Sequence, residues 1–295
     1  MSKRSPNTFV IGAGPVATAL AGSLRRVGVP VLGLWARRPE AARAAARTAG
    51  VAGFSSAPPD LMLEADVVVL AVRDSAVAEV AAMICGTGLV TRRHVLLHCS
   101  GAMAASEALG GVVAQVGGVG TLHPLRAISD PSVNLRGTVF GVEGDAVAIE
   151  QARQLVERLG GVALSLEKEQ MAAYHAAAAM ASNFVVTLVD AAARALAATG
   201  MPVEQATAAL LPLAQGALAN VAEQGAARGL TGPIRRGDTT TVQRHLAALE
   251  VSPGTLELYR VLGRATVELA GSIPSSPAGD APSPEALAAI RRALG

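Results

Sequence analysis

Polar side chains stand at two predicted strand ends, where they could take part in a reaction. Ser100 in "CSGA" and His123 in "LHPL" each follow an apolar run that predicts a β-strand. A histidine titrates near neutral pH and can donate a proton, and a serine hydroxyl can hydrogen-bond a substrate. Structural roles fit equally well, because Ser100 could cap a helix that begins near Met103 and His123 with Pro124 could shape a turn.

The segment "YHAAAAMASN" places His175 and Asn183 on one face of a predicted helix, because positions 175, 179 and 183 are separated by steps of four. The alanines between them leave room for a ligand. Buried polar groups on such a face need partners, so a cleft that faces another domain explains the pattern. Satisfied polar contacts between two helices explain it as well.

A third group of polar residues lies in "LTGPIRRGDTTTVQRHL", inside an otherwise apolar helical region. Arg235 or Arg236 could hold an anionic substrate with charge-assisted hydrogen bonds. Asp238 is expected to cap a helix that begins at Thr239. The alternative is a plain connection between helices with solvated charges.

The segment "VIGAGPVATAL" has the spacing of a dinucleotide-binding turn, Gly12-x-Gly14-x-x-Ala17. Gly12 permits the turn, Gly14 lets the backbone approach a pyrophosphate, and a small Ala17 lets the helix pack against the strand. The phosphates would lie at the helix N-terminus, where free N–H groups and the helix dipole favour anions. The predicted cofactor-binding residues also include Pro15, Val16 and, at the ends of later strands, Val72 and Ser100.

The end of the second predicted strand favours NADP(H) over NAD(H). An NAD site usually carries an Asp or Glu about twenty residues after the glycines, and "LWARRPE" has Arg37 and Arg38 there instead. Two guanidinium groups suit a ribose 2′-phosphate. Alternatively, the arginines only solvate the start of a helix, although cations are not favoured at a helix N-terminus.

These residues require a sheet that brings strand ends together. Apolar runs alternate with helical stretches up to residue 166, the runs being "TFVIG", "VPVLGLW", "ADVVVLAV", "RHVLLHCSGA", "QVGGVGTLHPL", "RGTVFGVEG" and "VALSLE". Asp145 is expected to cap the N-terminus of one helix, and Gly160 and Gly161 are expected to end the same helix. The alternation predicts an α/β fold with an N-terminal Rossmann-like, doubly wound parallel sheet.

The second half of the chain is predicted to be all helical. No proline or glycine interrupts the segment from Lys168 to Gly200, so one helix of about 50 Å is expected there. We predict a dinucleotide-binding domain over 1–166, a helical substrate and dimerisation domain over 167–272, and a flexible linker with a short terminal helix over 273–295. The linker is "SIPSSPAGDAPSP".

Composition excludes several classes of protein. The formal net charge is +2 and no basic block is interleaved with aromatic residues, which argues against a nucleic-acid surface. No signal peptide or uninterrupted membrane-length apolar run is evident, so a cytoplasmic protein is expected. Cys85 and Cys99 fit reduced core thiols, and His94 and His98 are too far apart along a strand to share a metal ion.

The motifs "VIGAGPVATAL", "HCSGA", "LHPL", "YHAAAAMASN" and "TGPIRRGD" resemble those of the bacterial family with a Rossmann-like domain followed by DUF2520. More distantly, the chain resembles ketopantoate reductase, pyrroline-5-carboxylate reductase, 3-hydroxyisobutyrate dehydrogenase and the coenzyme-F420-dependent NADP reductases. The resemblance implies an NADP-dependent reductase with a C-terminal domain like that of 6-phosphogluconate dehydrogenase, and a homodimer formed through the helical domain.

One departure from the hydroxyacid and ketopantoate enzymes concerns their helix lysine, which lies one turn before an asparagine. Here Ala179 precedes Asn183, and Lys3 and Lys168 are the only lysines. His175 is then the best proton donor for a carbonyl substrate, whereas an imine can arrive already protonated.

We therefore predict hydride transfer from NADPH to a small, carboxylated keto- or imino-compound. Ser100, His123 and Asn183 would assist His175, and Arg235 or Arg236 would hold the carboxylate near Asp238. The alternatives are a non-catalytic NADP(H) sensor and a deazaflavin-dependent NADP reductase.

Overall fold

The computed structural model describes residues 4–273 and 281–295. The chain forms two compact units, which divide after Met180. The first unit contains a sheet of eight strands in the order β3-β2-β1-β4-β5-β6-β7-β8. The strands are β1 (Thr8–Ile11), β2 (Val31–Trp35), β3 (Gly53–Phe54), β4 (Val67–Leu70), β5 (Val95–His98), β6 (Gly118–Pro124), β7 (Val139–Gly144) and β8 (Val162–Ser165).

The sheet is parallel at every pairing except that of β6 with β7, which is antiparallel. The predicted α/β class is thus confirmed, with one reversed strand pair that the sequence analysis did not predict. The short strand β3 was also not predicted. Its two residues pair with the end of β2.

Helices cover both faces of the sheet, which explains why strands such as "VVVL" are apolar at every position. Val68 and Leu70 pack on one face, whereas Val67 and Val69 pack on the other. The helices of the first unit are α1 (Pro15–Arg26), α2 (Pro39–Ala49), α3 (Val77–Gly86), α4 (Ala105–Ala108), α5 (Ala146–Arg158) and α6 (Met171–Ala181), the last of which extends one residue past the division.

The second unit is entirely helical among its described residues, as expected. Its helices are α7 (Asn183–Ala197), α8 (Val203–Gln224), α9 (Ala226–Gly229), α10 (Thr239–Leu249), α11 (Pro253–Gly271) and α12 (Pro284–Leu294). Asp238 caps α10 as predicted, because its carboxylate accepts hydrogen bonds from the backbone N–H and the hydroxyl of Thr241 at 2.9 and 2.6 Å. The residues Ile234, Val242, Val267, Ile290 and Leu294 form a core in this unit.

The expected single helix from Lys168 to Gly200 is wrong. A 3₁₀ turn (Lys168–Gln170) comes first, and the helix is interrupted at Ser182, whose φ of −121° and ψ of −74° are not helical. No proline or glycine marks this interruption, so the local sequence does not reveal it. Because α6 and α7 are separate helices, the four-residue spacing from His175 to Asn183 does not place them on one helical face.

Among the described residues, one helical stretch is long and apolar enough to meet the length and composition criteria for a membrane span. It is Lys168–Ala197, with a mean hydropathy of 1.5 and 6% of its most apolar window buried. An uninterrupted apolar run of membrane length was not expected, and this stretch is interrupted by polar residues such as His175 and Asn183. A helix that packs against another protein surface meets the same criteria.

The C-terminal helix α12 is packed rather than free. Ile290 and Leu294 are fully buried, and Arg291 forms an ion pair with Glu268 of α11 at 2.6 Å. The predicted flexible linker falls largely on residues 274–280, which lie outside the described residues. The division after Met180 also differs from the predicted boundary at residue 166.

Candidate functional site

A cleft with a volume of about 810 Å³ lies at the carboxyl ends of β1, β2 and β4, where an open parallel sheet binds its ligands. Its lining includes the predicted residues Gly12, Gly14, Pro15, Val16, Arg37, Arg38 and Val72. Ala17 is fully buried, as expected for a residue that packs the helix against the strand. The structure therefore brings the predicted nucleotide-binding residues together in one unit.

The glycine turn fits a dinucleotide. Gly12 has a φ of +131°, and a Cβ at this position would collide with the carbonyl oxygen of Ala71. Gly14 has open space where its side chain would lie, so a phosphate can approach the backbone there. Helix α1 begins at Pro15 and has no acidic residue in its first turn, which leaves its N-terminal N–H groups available to an anion.

Three arginines line the cleft. Arg37 and Arg38 follow β2, and Arg73, which the sequence analysis did not single out, follows β4. Arg37 lies 3.7 Å from Glu79 in an exposed ion pair, a contact of little energetic weight. Arg37 therefore remains available to a ribose 2′-phosphate.

Asp74 connects this cleft to Ser100. Asp74 lines the cleft, and the Ser100 hydroxyl donates a hydrogen bond to its carboxylate at 2.9 Å. The Ser100 oxygen also accepts from the backbone N–H of Ala102 at 3.2 Å, whereas helix α4 begins only at Ala105. Ser100 thus shapes the turn after β5 and does not cap a helix near Met103. Val72 was predicted to bind the cofactor, but Asp74, two residues later, was given no role.

A buried chain of hydrogen bonds supports the turn at Ser100. The Ser100 N–H donates to His98 Nδ1 at 3.2 Å, and His98 Nε2 lies 3.0 Å from Thr121 Oγ1. The Thr121 hydroxyl donates to Glu143 at 3.3 Å, and the same carboxylate accepts from the N–H of Ala105 at 2.7 Å. Because a backbone N–H only donates and a carboxylate only accepts, His98 carries its proton on Nε2.

His123 contacts both Tyr174 and Gly101, and His175 also lies against Gly101. The Tyr174 hydroxyl lies 2.8 Å from His123 Nδ1, and the His123 and His175 rings lie edge to face with centroids 6.1 Å apart. A Cβ at Gly101 would be 2.9 Å from both His123 Nε2 and His175 Nδ1. His175 Nδ1 is buried and has no hydrogen-bond partner among the described residues.

Burial keeps the two histidines at the strand ends neutral. It lowers the pKa of His98 and that of His123 to about 4, and the charge of Asp74 partly opposes both changes. Burial also raises the pKa of Tyr174, which keeps the phenol protonated. His123 can therefore donate a hydrogen bond at neutral pH but holds no additional proton.

Cys99 also lines the cleft, although the sequence analysis treated it only as a core thiol. Burial, with a smaller effect from Asp74, raises its pKa to about 12, so the thiol is unreactive. Cys85 is buried and free. The described residues contain no group of metal-ligating side chains close enough to hold an ion.

Four predicted site residues belong to the second unit. Asn183 is the first residue of α7, and Arg235 and Arg236 precede the cap of α10. The Asp238 carboxylate is engaged by Thr241, whose hydrogen bonds lower the pKa of Asp238. The roles of these residues toward a substrate stay predictions.

Two family models match the chain. Residues 8–96 match the family described as NADP oxidoreductase coenzyme F420-dependent, and residues 138–266 match a domain of unknown function, DUF2520. No match was found among curated proteins.

Solved structures of the same fold cover nearly the whole chain. Protein TM1727 from Thermotoga maritima is 24% identical over 90% of this chain and 98% of its own, with a TM-score of 0.70. An imine reductase from Pseudomonas sp. is 17% identical over 99% of this chain and 100% of its own, with a TM-score of 0.58. Pyrroline carboxylate reductase from Plasmodium falciparum, with NADP bound, is 13% identical over 99% of this chain and 97% of its own, with a TM-score of 0.54. At these identities the likeness establishes the fold.

Proposed function

We propose that this chain, a Rossmann-like member of the DUF2520 oxidoreductase family, transfers hydride from NADPH to a small keto- or imino-acid. The family, the oxidoreductase class and the cofactor NADP(H), all predicted from the sequence, are confirmed by the two family-model matches. The substrate class is the proposed part.

One observation carries the proposal. The nucleotide cleft continues through Asp74 to Ser100, and the next residue, Gly101, lies against His123 and His175. A cofactor cleft and a group of proton-bearing side chains therefore meet at one edge of the sheet, within one unit. Bound NADPH would supply the hydride, and the protein's own residues would orient the acceptor and handle its proton.

We assign orientation of the acceptor to His123 and exchange of its proton to His175. His123 is neutral, so it polarises a carbonyl or imine by donating a hydrogen bond and is not the source of a net proton. His175 Nδ1 lies beside the same point and has no hydrogen-bond partner in the described part of the chain, which suits it to exchange a proton with the substrate. An imine that binds already protonated needs orientation more than an acid. The reductases named among the similar structures, which act on imines and pyrroline carboxylate, support this substrate class.

The carboxylate of the substrate and the assembly of the protein involve the second unit. We propose that Arg235 or Arg236 holds the carboxylate, that Asn183 hydrogen-bonds the substrate, and that two copies pair through the helical unit. Exposed apolar side chains support such pairing, since Phe184 and Val186 of α7 and Leu213 of α8 are 60%, 70% and 72% exposed. Sedimentation of the V186D variant as a monomer, beside a dimeric wild type, tests it. The cytoplasmic location stays a prediction.

Cofactor selectivity is the first test. Trp35 is the only tryptophan and lines the cleft, so its fluorescence reports nucleotide binding. We expect NADPH to bind at least about tenfold more tightly than NADH, a difference of about 1.4 kcal/mol. Arg37→Glu should abolish this preference, and Arg136→Glu, an exposed arginine outside the cleft lining, should keep it. Equal binding of both nucleotides by the wild type would refute the assignment of Arg37.

The substrate class is tested by a screen of 2-oxo acids and cyclic imino acids, with NADPH oxidation as the readout. In His175→Ala, reduction of a keto acid should fall by about 10²–10⁴-fold, and reduction of a protonated imine should fall much less. The description of the matched family favours a second candidate, electron transfer between NADP and a deazaflavin. Turnover with a deazaflavin and with no keto or imino acid would support that candidate and exclude the first.

A further inference from the structure

We propose that Tyr174 is a positioning residue that fixes His123 as the tautomer with its proton on Nε2. The inference deepens the proposed function and rests on it, since it gives His123 the orientation that hydrogen-bond donation to a substrate requires. Tyr174 was not among the predicted site residues, and it reaches His123 from helix α6 rather than from the sheet.

The direction of the hydrogen bond follows from the surroundings of the phenol. The Tyr174 oxygen lies against β7, where a Cβ at Gly141 would be 2.8 Å from it. Burial raises the pKa of Tyr174, so the phenol keeps its proton and needs an acceptor for it. In residues 4–273 and 281–295, the acceptor within hydrogen-bond distance of this hydroxyl is His123 Nδ1, at 2.8 Å.

A neutral imidazole carries one proton, and a nitrogen that accepts the phenolic hydrogen bond cannot hold it. The proton of His123 therefore lies on Nε2. This nitrogen is 2.9 Å from the Cβ position of Gly101, the point that His175 Nδ1 also approaches. The opposite tautomer would present a lone pair there and could not polarise a carbonyl oxygen. Tyr174 thus determines which side of the ring can donate.

The chain contains a second pair of the same kind, which serves as a matched control. The Tyr259 hydroxyl lies 2.9 Å from His245 Nδ1, with ring centroids 5.8 Å apart and an interplanar angle of 89°. The corresponding values for Tyr174 and His123 are 5.5 Å and 88°. The second pair belongs to the helical unit, so Tyr259→Phe removes an equivalent hydroxyl without changing the cleft.

The test is a long-range proton–nitrogen NMR spectrum of ¹⁵N-histidine-labelled protein, which distinguishes a protonated from an unprotonated ring nitrogen. Wild type and Tyr259→Phe should show His123 unprotonated at Nδ1 and protonated at Nε2. Tyr174→Phe should show a mixture of both tautomers for His123. The proposal fails if wild-type His123 is protonated at Nδ1, or if its tautomer is the same in Tyr174→Phe. The five histidine signals are assigned with single His→Gln variants.

This experiment needs neither substrate nor turnover, so its failure is distinct from failure of the proposed function. Quenching of Trp35 fluorescence by NADPH should be unchanged in Tyr174→Phe. Once a substrate is found, kcat of that variant should fall about tenfold with KM nearly constant, because only the donor orientation is lost. If His123 is protonated at Nε2 as expected but the protein does not bind NADPH, the proposed function is refuted and the role of Tyr174 is not.

Discussion

We expect Gly101→Ala to lower kcat without changing the affinity for NADPH. The added methyl group would lie 2.8 Å from His123 Cε1 and 2.9 Å from both His123 Nε2 and His175 Nδ1, where ordinary contacts begin at 3.4 Å. Both rings must therefore retreat by about half an ångström or more. A misplacement of 1 Å can cost about 10²-fold in rate, so we expect kcat to fall by roughly 10- to 100-fold.

The assay compares kcat with NADPH affinity in the same preparation. Gly101 is not part of the cleft lining, so quenching of Trp35 by NADPH should match that of the wild type. Gly86→Ala is the control, because a Cβ there meets no atom within 4 Å. Wild-type kcat in Gly101→Ala, with an unchanged fold, would show that the two imidazoles do not take part in the reaction.

Three further outcomes are expected. Asp145→Ala removes a carboxylate that accepts from two backbone N–H groups at 2.7 and 2.9 Å, so urea unfolding should show a loss of about 1–2 kcal/mol; an unchanged midpoint would contradict the capping role. Leu294→Ala should cost about 2–5 kcal/mol, because this fully buried side chain anchors α12 on the helical unit; a cost near zero would mean that α12 is not docked. Between pH 6.5 and pH 4 the unfolded chain binds protons that His98 and His123 do not bind when folded. The stability contributed by these neutral rings is complete above pH 6.5 and decreases as the pH falls, by up to about 1.4 kcal/mol per pH unit for each ring. Urea midpoints at pH 7 and pH 5 measure the decrease. A smaller loss of stability between these two pH values in His98→Gln gives the contribution of the His98 ring.

The parts of the fold that local sequence determines were predictable. The turn from Gly12 to Ala17 depends on residues next to one another along the chain, and so do the caps at Asp145 and Asp238. A capping carboxylate reaches an N–H only three residues away, so its type and position are sufficient to predict it. The NADP(H) prediction was local in the same sense, because it depended on the arginines at the end of one strand.

The features that were not predicted depend on contacts between distant segments. The antiparallel pairing of β6 with β7 is not visible in an apolar run, which suits either direction. The interruption at Ser182 occurs in a segment without proline or glycine, so no local helix breaker predicts it. The contact of Tyr174 with His123 spans 51 residues and joins a helix to a strand end.

Through the buried hydrogen-bond chain from Ser100 to Glu143, a residue outside the cleft can affect the site without contacting a ligand. Glu143 does not line the cleft, yet its carboxylate holds Thr121, and through His98 it holds the backbone of Ser100. In a mutational scan, or under natural selection, substitutions of Glu143 would be as poorly tolerated as those of residues that touch a ligand. Defined by this expected tolerance, the site extends across three strands of the sheet to Glu143, which lies outside the cleft lining.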